Sequence, residues 1–120
     1  MSQLSRAVSI HPYFKINPGE EKAFHELIVD FVTRTRTEGE SCLCYDFTHC
    51  GDQAYCRELY ADADAVLRHL ENVGECIEAS KAISEMYRLE FHGPAEEIEK
   101  LREALGDLEA EYYVRSNGVD

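Results

Sequence analysis

The chain has 120 residues, with 24 acidic side chains against 12 basic ones and a formal net charge of −12. A chain of this length makes one domain with a real core and little surplus. The charge argues against nucleic acid and anionic membranes, both of which reward clustered Lys and Arg. No run approaches the roughly 20 apolar residues of a membrane span. The opening "MSQLSRAVSIHPYFK" lacks the basic flank and apolar core of a signal peptide, and an odd total of five cysteines fits reduced thiols, so a cytoplasmic location is expected.

From Ala7 to Ile16 the pattern has period 2, with Val8, Ile10, Phe14 and Ile16 on one face and His11, Tyr13 and Lys15 on the other, which predicts a strand. Pro12 inside it predicts an edge position or a bulge. "NPGEE" then reads as a helix start, with Asn17 as cap, Pro18 in the first turn and Glu20 three residues past the cap. Phe24, Leu27, Ile28, Phe31 and Val32 give that helix its apolar face, and Gly39 closes it. Leu43 to Cys50 and Gln53 to Ala61 alternate around Gly51-Asp52 and read as a hairpin.

A second helical stretch follows, capped by Asp62 or Asp64 and bent or divided at Gly74. "MYRLEFH" predicts a further strand, "GPAEEIEKLREALG" a third helix and "LEAEYYVRS" a last strand. The fold class is therefore α+β: a ferredoxin-like βαββαβ core over residues 7–92 with a C-terminal α-β extension over 93–117, all within a single domain 1–120. Helices cover one face of such a sheet. The other would carry Tyr13, Tyr55 and Leu59, and a sheet with large apolar groups on both faces needs a partner, so a homodimer through the sheet face is expected.

A two-residue loop pairs Cys50 with Gln53, Asp46 with Arg57, Tyr45 with Glu58 and Cys44 with Leu59, and the opposite charges of Asp46 and Arg57 support that register. Four cysteines lie in "CLCYDFTHCGDQAYC", which raises the question of a metal site. In this register Cys42 and Cys50 stand about 26 Å apart along the strand, and Cys56 points to the other face. Sulfurs on one ion must each lie within about 2.3 Å of it. Cys42 and Cys44, neighbours on one face, make half a site, so the cysteines are expected to be strand fillers.

"YFKINPGEEKAF", "EGESCLCYDF" and "CRELYADADAVLRHLENV" together resemble the antibiotic biosynthesis monooxygenase (ABM) domain family, and the tail "HGPAEEIEKLREALGDLEAEYYVRSNG" is similar to an extension in its quinol monooxygenase subset. The resemblance implies a dimeric α+β barrel that oxygenates a quinol, polyphenol or anthrone with O2, without metal, flavin or haem as cofactor. Such a protein needs to deprotonate the substrate, stabilise the oxyanion and keep water from a peroxide. A haem-degrading branch carries Asn, Trp and His where this chain has Pro12, His69 and Ser80, and the chain contains no Trp, which sets the haem-handling reading behind the others. A non-catalytic dimeric module that binds a small aromatic ligand is the rival from another class.

The expected catalytic residues are His69, Tyr45 and Glu58. The resemblance places His69 at the pocket, and an ordinary pKa near 6.5 suits a general base; the alternative is a histidine bonded to a backbone carbonyl. Tyr45 and Glu58 face each other on the helix side, where they would form either a pair with raised pKa or a buried hydrogen bond that fixes the sheet. Tyr60, Pro12, Phe47 and Arg57 are the expected substrate-binding residues, with Tyr60 also suited to the core and Arg57 to Asp46. His92 is expected at a strand end, His11 and Tyr13 on the dimer side, and the acidic third helix on a solvated face.

Overall fold

The computed structural model describes residues 4–119. Strands β1 (Val8–Ile16), β2 (Cys42–Cys50), β3 (Gln53–Tyr60), β4 (Ser84–Gly93) and β5 (Glu111–Val114) form one sheet in the order β2-β3-β1-β4-β5. The first four are antiparallel in the ferredoxin-like arrangement, and β5 runs parallel to β4. Helices α1 (Glu21–Arg36), α2 (Ala63–Asn72), α3 (Gly74–Ser80) and α4 (Ala95–Ala104) lie between the strands in sequence. No helix among the described residues is long and apolar enough to cross a membrane.

The period-2 pattern of β1 sets the layers. Val8, Ile10, Pro12, Phe14 and Ile16 are buried, while Ser9, His11, Tyr13 and Lys15 face the other way. Val8, Ile10 and Phe91 pack with Val66 of α2 and Ile98 and Leu101 of α4. Phe14 and Ile16 pack with Phe24 of α1, and Phe31, Val73 and Cys76 join α1 to α2 and α3. Fully burying one such side chain, Phe24 for example, contributes about 1.5–3 kcal/mol.

The hairpin has the expected register, with Asp46 opposite Arg57 and Tyr45 opposite Glu58. Gly51 has φ +60° at the first central position, the requirement of a type II′ turn. Asp62 caps α2 by accepting from the Ala65 N–H at 2.8 Å, and the second helical stretch divides at Val73.

Three expectations are corrected, and at Pro12 one of two alternatives is set aside. Pro12 lies in the central strand, not at an edge. It pairs with Leu89 of β4, while the β1–β3 ladder stops after Ile10 and resumes at Tyr13, leaving out the residue with no N–H to donate; a bulge follows between Tyr13 and Phe14. Helix α1 starts at Glu21, because Pro18 and Gly19 form a turn in which the Glu20 N–H donates to the Asn17 carbonyl at 3.0 Å, with Gly19 at φ +82°. In β2 a bulge at Leu43 sets Cys42 opposite Tyr60 and packs it against the core, off the face of Cys44; Cys44 and Cys50 are exposed and Cys56 is buried. On α4, Glu97 is 1% exposed: its Oε1 accepts the Ala63 N–H at 2.9 Å, so it caps α2 from a neighbouring helix.

Candidate functional site

A cavity of about 790 Å³ lies between the sheet and the helices, where the three apolar clusters meet. Pro12 and Phe14 of β1, Phe31 of α1 and Phe47 of β2 are among its walls, and the half-exposed Met86 and Leu108 belong to its lining. Its size and apolar walls suit a small molecule. The polar groups converge at one place, where Tyr45, Glu58 and His69 also line it.

His69 is 2% exposed on the buried face of α2. Its Nδ1 lies 2.8 Å from Glu38 Oε2 and 3.1 Å from Oε1. Carboxylate oxygens accept, so Nδ1 carries the proton and Nε2 keeps a lone pair. Nε2 is 3.5 Å from Glu58 Oε1. Glu38 follows the end of α1 and is fixed in turn by Asn72, whose Nδ2 donates to Oε2 at 2.8 Å. Burial lowers the pKa of His69, partly offset by Glu38, so the imidazole is neutral at neutral pH.

Glu58 is buried on β3 and accepts a hydrogen bond from the Tyr60 hydroxyl at 2.7 Å. Burial pushes its carboxyl up to about 8, against the lowering effect of the donors Tyr60 and Cys56. Near neutrality it is therefore mainly a neutral acid beside a neutral base. Two groups with separated protonation tasks in one pocket are the arrangement that acid–base chemistry needs. Tyr45 stands edge-on to His69, ring centroids 5.2 Å apart; burial, then the charge of Glu58, raises its pKa and keeps the phenol protonated.

The structure thus brings His69, Glu58 and Tyr45 together and puts Pro12 and Phe47 in the walls. Tyr60 is fully buried beneath them, its ring centroid 4.8 Å from that of His69 and its hydroxyl bonded to Glu58. Tyr45 and Glu58 are cross-strand partners, yet the hydrogen bond to Glu58 comes from Tyr60, two residues along the same strand. Arg57 lies on the other face of β3, held by Asp46 through two contacts of 2.8 Å. Ser80, at the position matching a histidine in the haem-degrading branch, is in the cavity wall. The sequence pattern marks neither Glu38 nor Asn72. Glu38 is 31 residues from His69, in a segment with no periodicity to single it out.

No protein-family profile matches the chain. No curated protein sequence matches it either. Among solved structures, MupZ from Pseudomonas fluorescens is 33% identical, with 96% of this chain and 94% of MupZ covered and a TM-score of 0.90. A protein of Caulobacter crescentus CB15, provisionally named an antibiotic biosynthesis monooxygenase, is 19% identical over 73% of this chain and 89% of its own, with a TM-score of 0.63. Rv0793 from Mycobacterium tuberculosis is 20% identical over 73% of this chain and 94% of its own, with a TM-score of 0.64. These last two match about three quarters of this chain, whereas the likeness to MupZ covers nearly all of it. On this identity over nearly the whole of both chains, the chain belongs to one family with MupZ, and it shares the fold of proteins provisionally named antibiotic biosynthesis monooxygenases.

Proposed function

We propose that the chain is a monooxygenase that uses O2 on a small quinol, polyphenol or anthrone-type aromatic without a bound cofactor, and that it works as a homodimer paired sheet to sheet. The observation that carries this is the Glu38–His69 pair meeting the protonated Glu58 in an aromatic-walled cavity. The His69 Nε2 lone pair takes a proton from the substrate, and the imidazolium is stabilised by Glu38. The Glu58 carboxyl donates a hydrogen bond to the oxyanion that forms. The electron-rich anion passes an electron to O2, and the resulting radicals combine into a peroxide. For an anthrone, the His69 imidazolium returns its proton to the peroxide, and the freed imidazole takes the second ring proton as the O–O bond breaks. With Glu58 protonating the leaving hydroxide, one CH2 and one O2 become a carbonyl and one water, and the imidazolium then gives its proton back to the Glu58 carboxylate. Phe14, Phe31 and Phe47 hold the ring and exclude bulk water. On the opposite face of the sheet, the Tyr13 and Tyr55 rings lie 5.0 Å apart and Tyr87 is 52% exposed, an aromatic surface suited to a second copy.

A second reading follows from the protonation state of Glu58. A neutral acid beside a neutral base also suits an isomerisation run by proton transfer alone. Oxygen-electrode traces with a panel of quinols and anthrones distinguish the two. Uptake above background that falls on His69→Ala supports the monooxygenase. Background uptake throughout, with aromatic ligands still bound, ends it, leaving the isomerase or a binding module. Sedimentation tests the dimer.

A further inference from the structure

The outer face of the sheet carries a polar cluster that the cavity chemistry does not use. Register places His11 of β1 directly opposite Glu90 of β4, and His92 is two residues past Glu90 on the same face. One ligand atom from each of the three lies within 4.8 Å of the others. The His11 and His92 ring centroids are 4.4 Å apart, and His92 Nε2 is 2.9 Å from Glu90 Oε1. We propose that His11, Glu90 and His92 form a binding site for a divalent transition-metal cation of the zinc type, on the face of the sheet opposite the cavity.

The donor chemistry fits. Two imidazoles and one carboxylate suit zinc and its first-row neighbours, and three protein donors leave a fourth position, which on this face, the one proposed to pair with a second copy, is filled by water or by a donor of that copy. Zn–N bonds of about 2.0–2.1 Å put tetrahedral donors roughly 3.4 Å apart, so the rings turn inward by a small rotation within an arrangement that already converges. The groups behind the donors are also in place. Whichever nitrogen His11 turns to the cation, the other keeps a hydroxyl: Tyr55 Oη lies 2.5 Å from Nδ1, and Ser9 Oγ 2.7 Å from Nε2. Glu90 Oε2 accepts from Arg88 Nε, which leaves Oε1 on the side of His92. His92 is stacked on Tyr113, centroids 4.4 Å apart and planes 10° from parallel, and Arg88 donates to the Tyr113 hydroxyl at 3.2 Å. Outer partners of this kind fix ligand tautomer and direction.

Burial separates this cluster from a chance surface grouping. Glu90 is 7% exposed although none of the described helices lies on that face, because the two imidazoles and Arg88 enclose it. A hydrogen-bonded clasp between β1 and β4 would use the same residues. The difference is that the clasp has no affinity for a cation.

Zinc titration by calorimetry tests the proposal, using the chelator-treated full chain and, because Cys44 and Cys50 are exposed thiols, the double variant C44S/C50S beside it. The expected result is one Zn2+ per chain in both. His11→Ala and His92→Ala should each weaken binding by more than the roughly 10–100-fold that losing an outer-shell partner costs. In the unsubstituted chain, nitrogen NMR should show the imidazoles of His11 and His92 shifting on zinc addition while that of His69 stays in place. That measurement keeps the test decisive if a variant fails to fold. No binding, binding abolished in C44S/C50S, or unshifted His11 and His92 resonances would each overturn it.

Discussion

His69 Nδ1 and Glu38 Oε2 lie 2.8 Å apart, joining the second helix to the turn after the first across 31 residues of sequence. That contact fixes the imidazole tautomer and makes Glu38 the group that stabilises its charge. Glu38→Gln should lower kcat by about 10²-fold, the low end of what general acid–base catalysis contributes, with little change in KM. It should also lower the His69 pKa further, since Glu38 is what raises it against burial. Steady-state kinetics and a histidine NMR titration check both.

Glu58 titrates at about 8 in the folded chain against an ordinary 4.5. The folded state holds that proton more tightly than the unfolded state, so the associated stability is full below pH 4.5 and is lost as pH rises through about 8. The loss should be on the order of a few kcal/mol, because each tenfold change in proton affinity is worth about 1.4 kcal/mol. Glu58→Gln, which cannot ionise, should remove that fall. His69, with its lowered pKa, acts with the opposite sign, losing its contribution as pH falls below its ordinary 6.5. Urea unfolding between about pH 5 and 9 reads both limbs.

Tyr60→Phe should cost about 1–3 kcal/mol, the penalty for leaving a buried acceptor without its donor. Because the Tyr60 hydroxyl lowers the Glu58 pKa, its loss should move the alkaline limb of the pH–rate profile upward. An unmoved profile would detach Tyr60 from the reacting groups.

Glu97→Ala should destabilise the fold by about 1–3 kcal/mol, through the unpaired Ala63 N–H it leaves at the start of α2. Glu97→Gln, which keeps an oxygen there, should cost less. Thermal unfolding of the two variants measures the difference.

Local features are legible in the sequence, and distant pairings are not. Gly51-Asp52 and the opposite charges of Asp46 and Arg57 suffice for the hairpin register, because turn chemistry and cross-strand charge act over a few residues. Asp62 as cap and Gly74 as a break are legible for the same reason. Pro12 reads as an edge or bulge residue because proline breaks ladders, and here a central strand takes it with a break on one side and a bulge beside it. The face of Cys42 comes out reversed because one bulge at Leu43 inverts everything before it. Glu97 sits unmarked among acidic neighbours that are exposed. Glu38, and the meeting of His11 with Glu90 and His92, depend on contacts that only the closed fold creates.

The interrupted ladder at Pro12 has a mechanical consequence. Under the cavity, no ladder pair joins the strand bearing Glu58 to the strand bearing Phe14 at Pro12 itself. Parting the two strands there to admit a bulkier guest would therefore break no pair at that point.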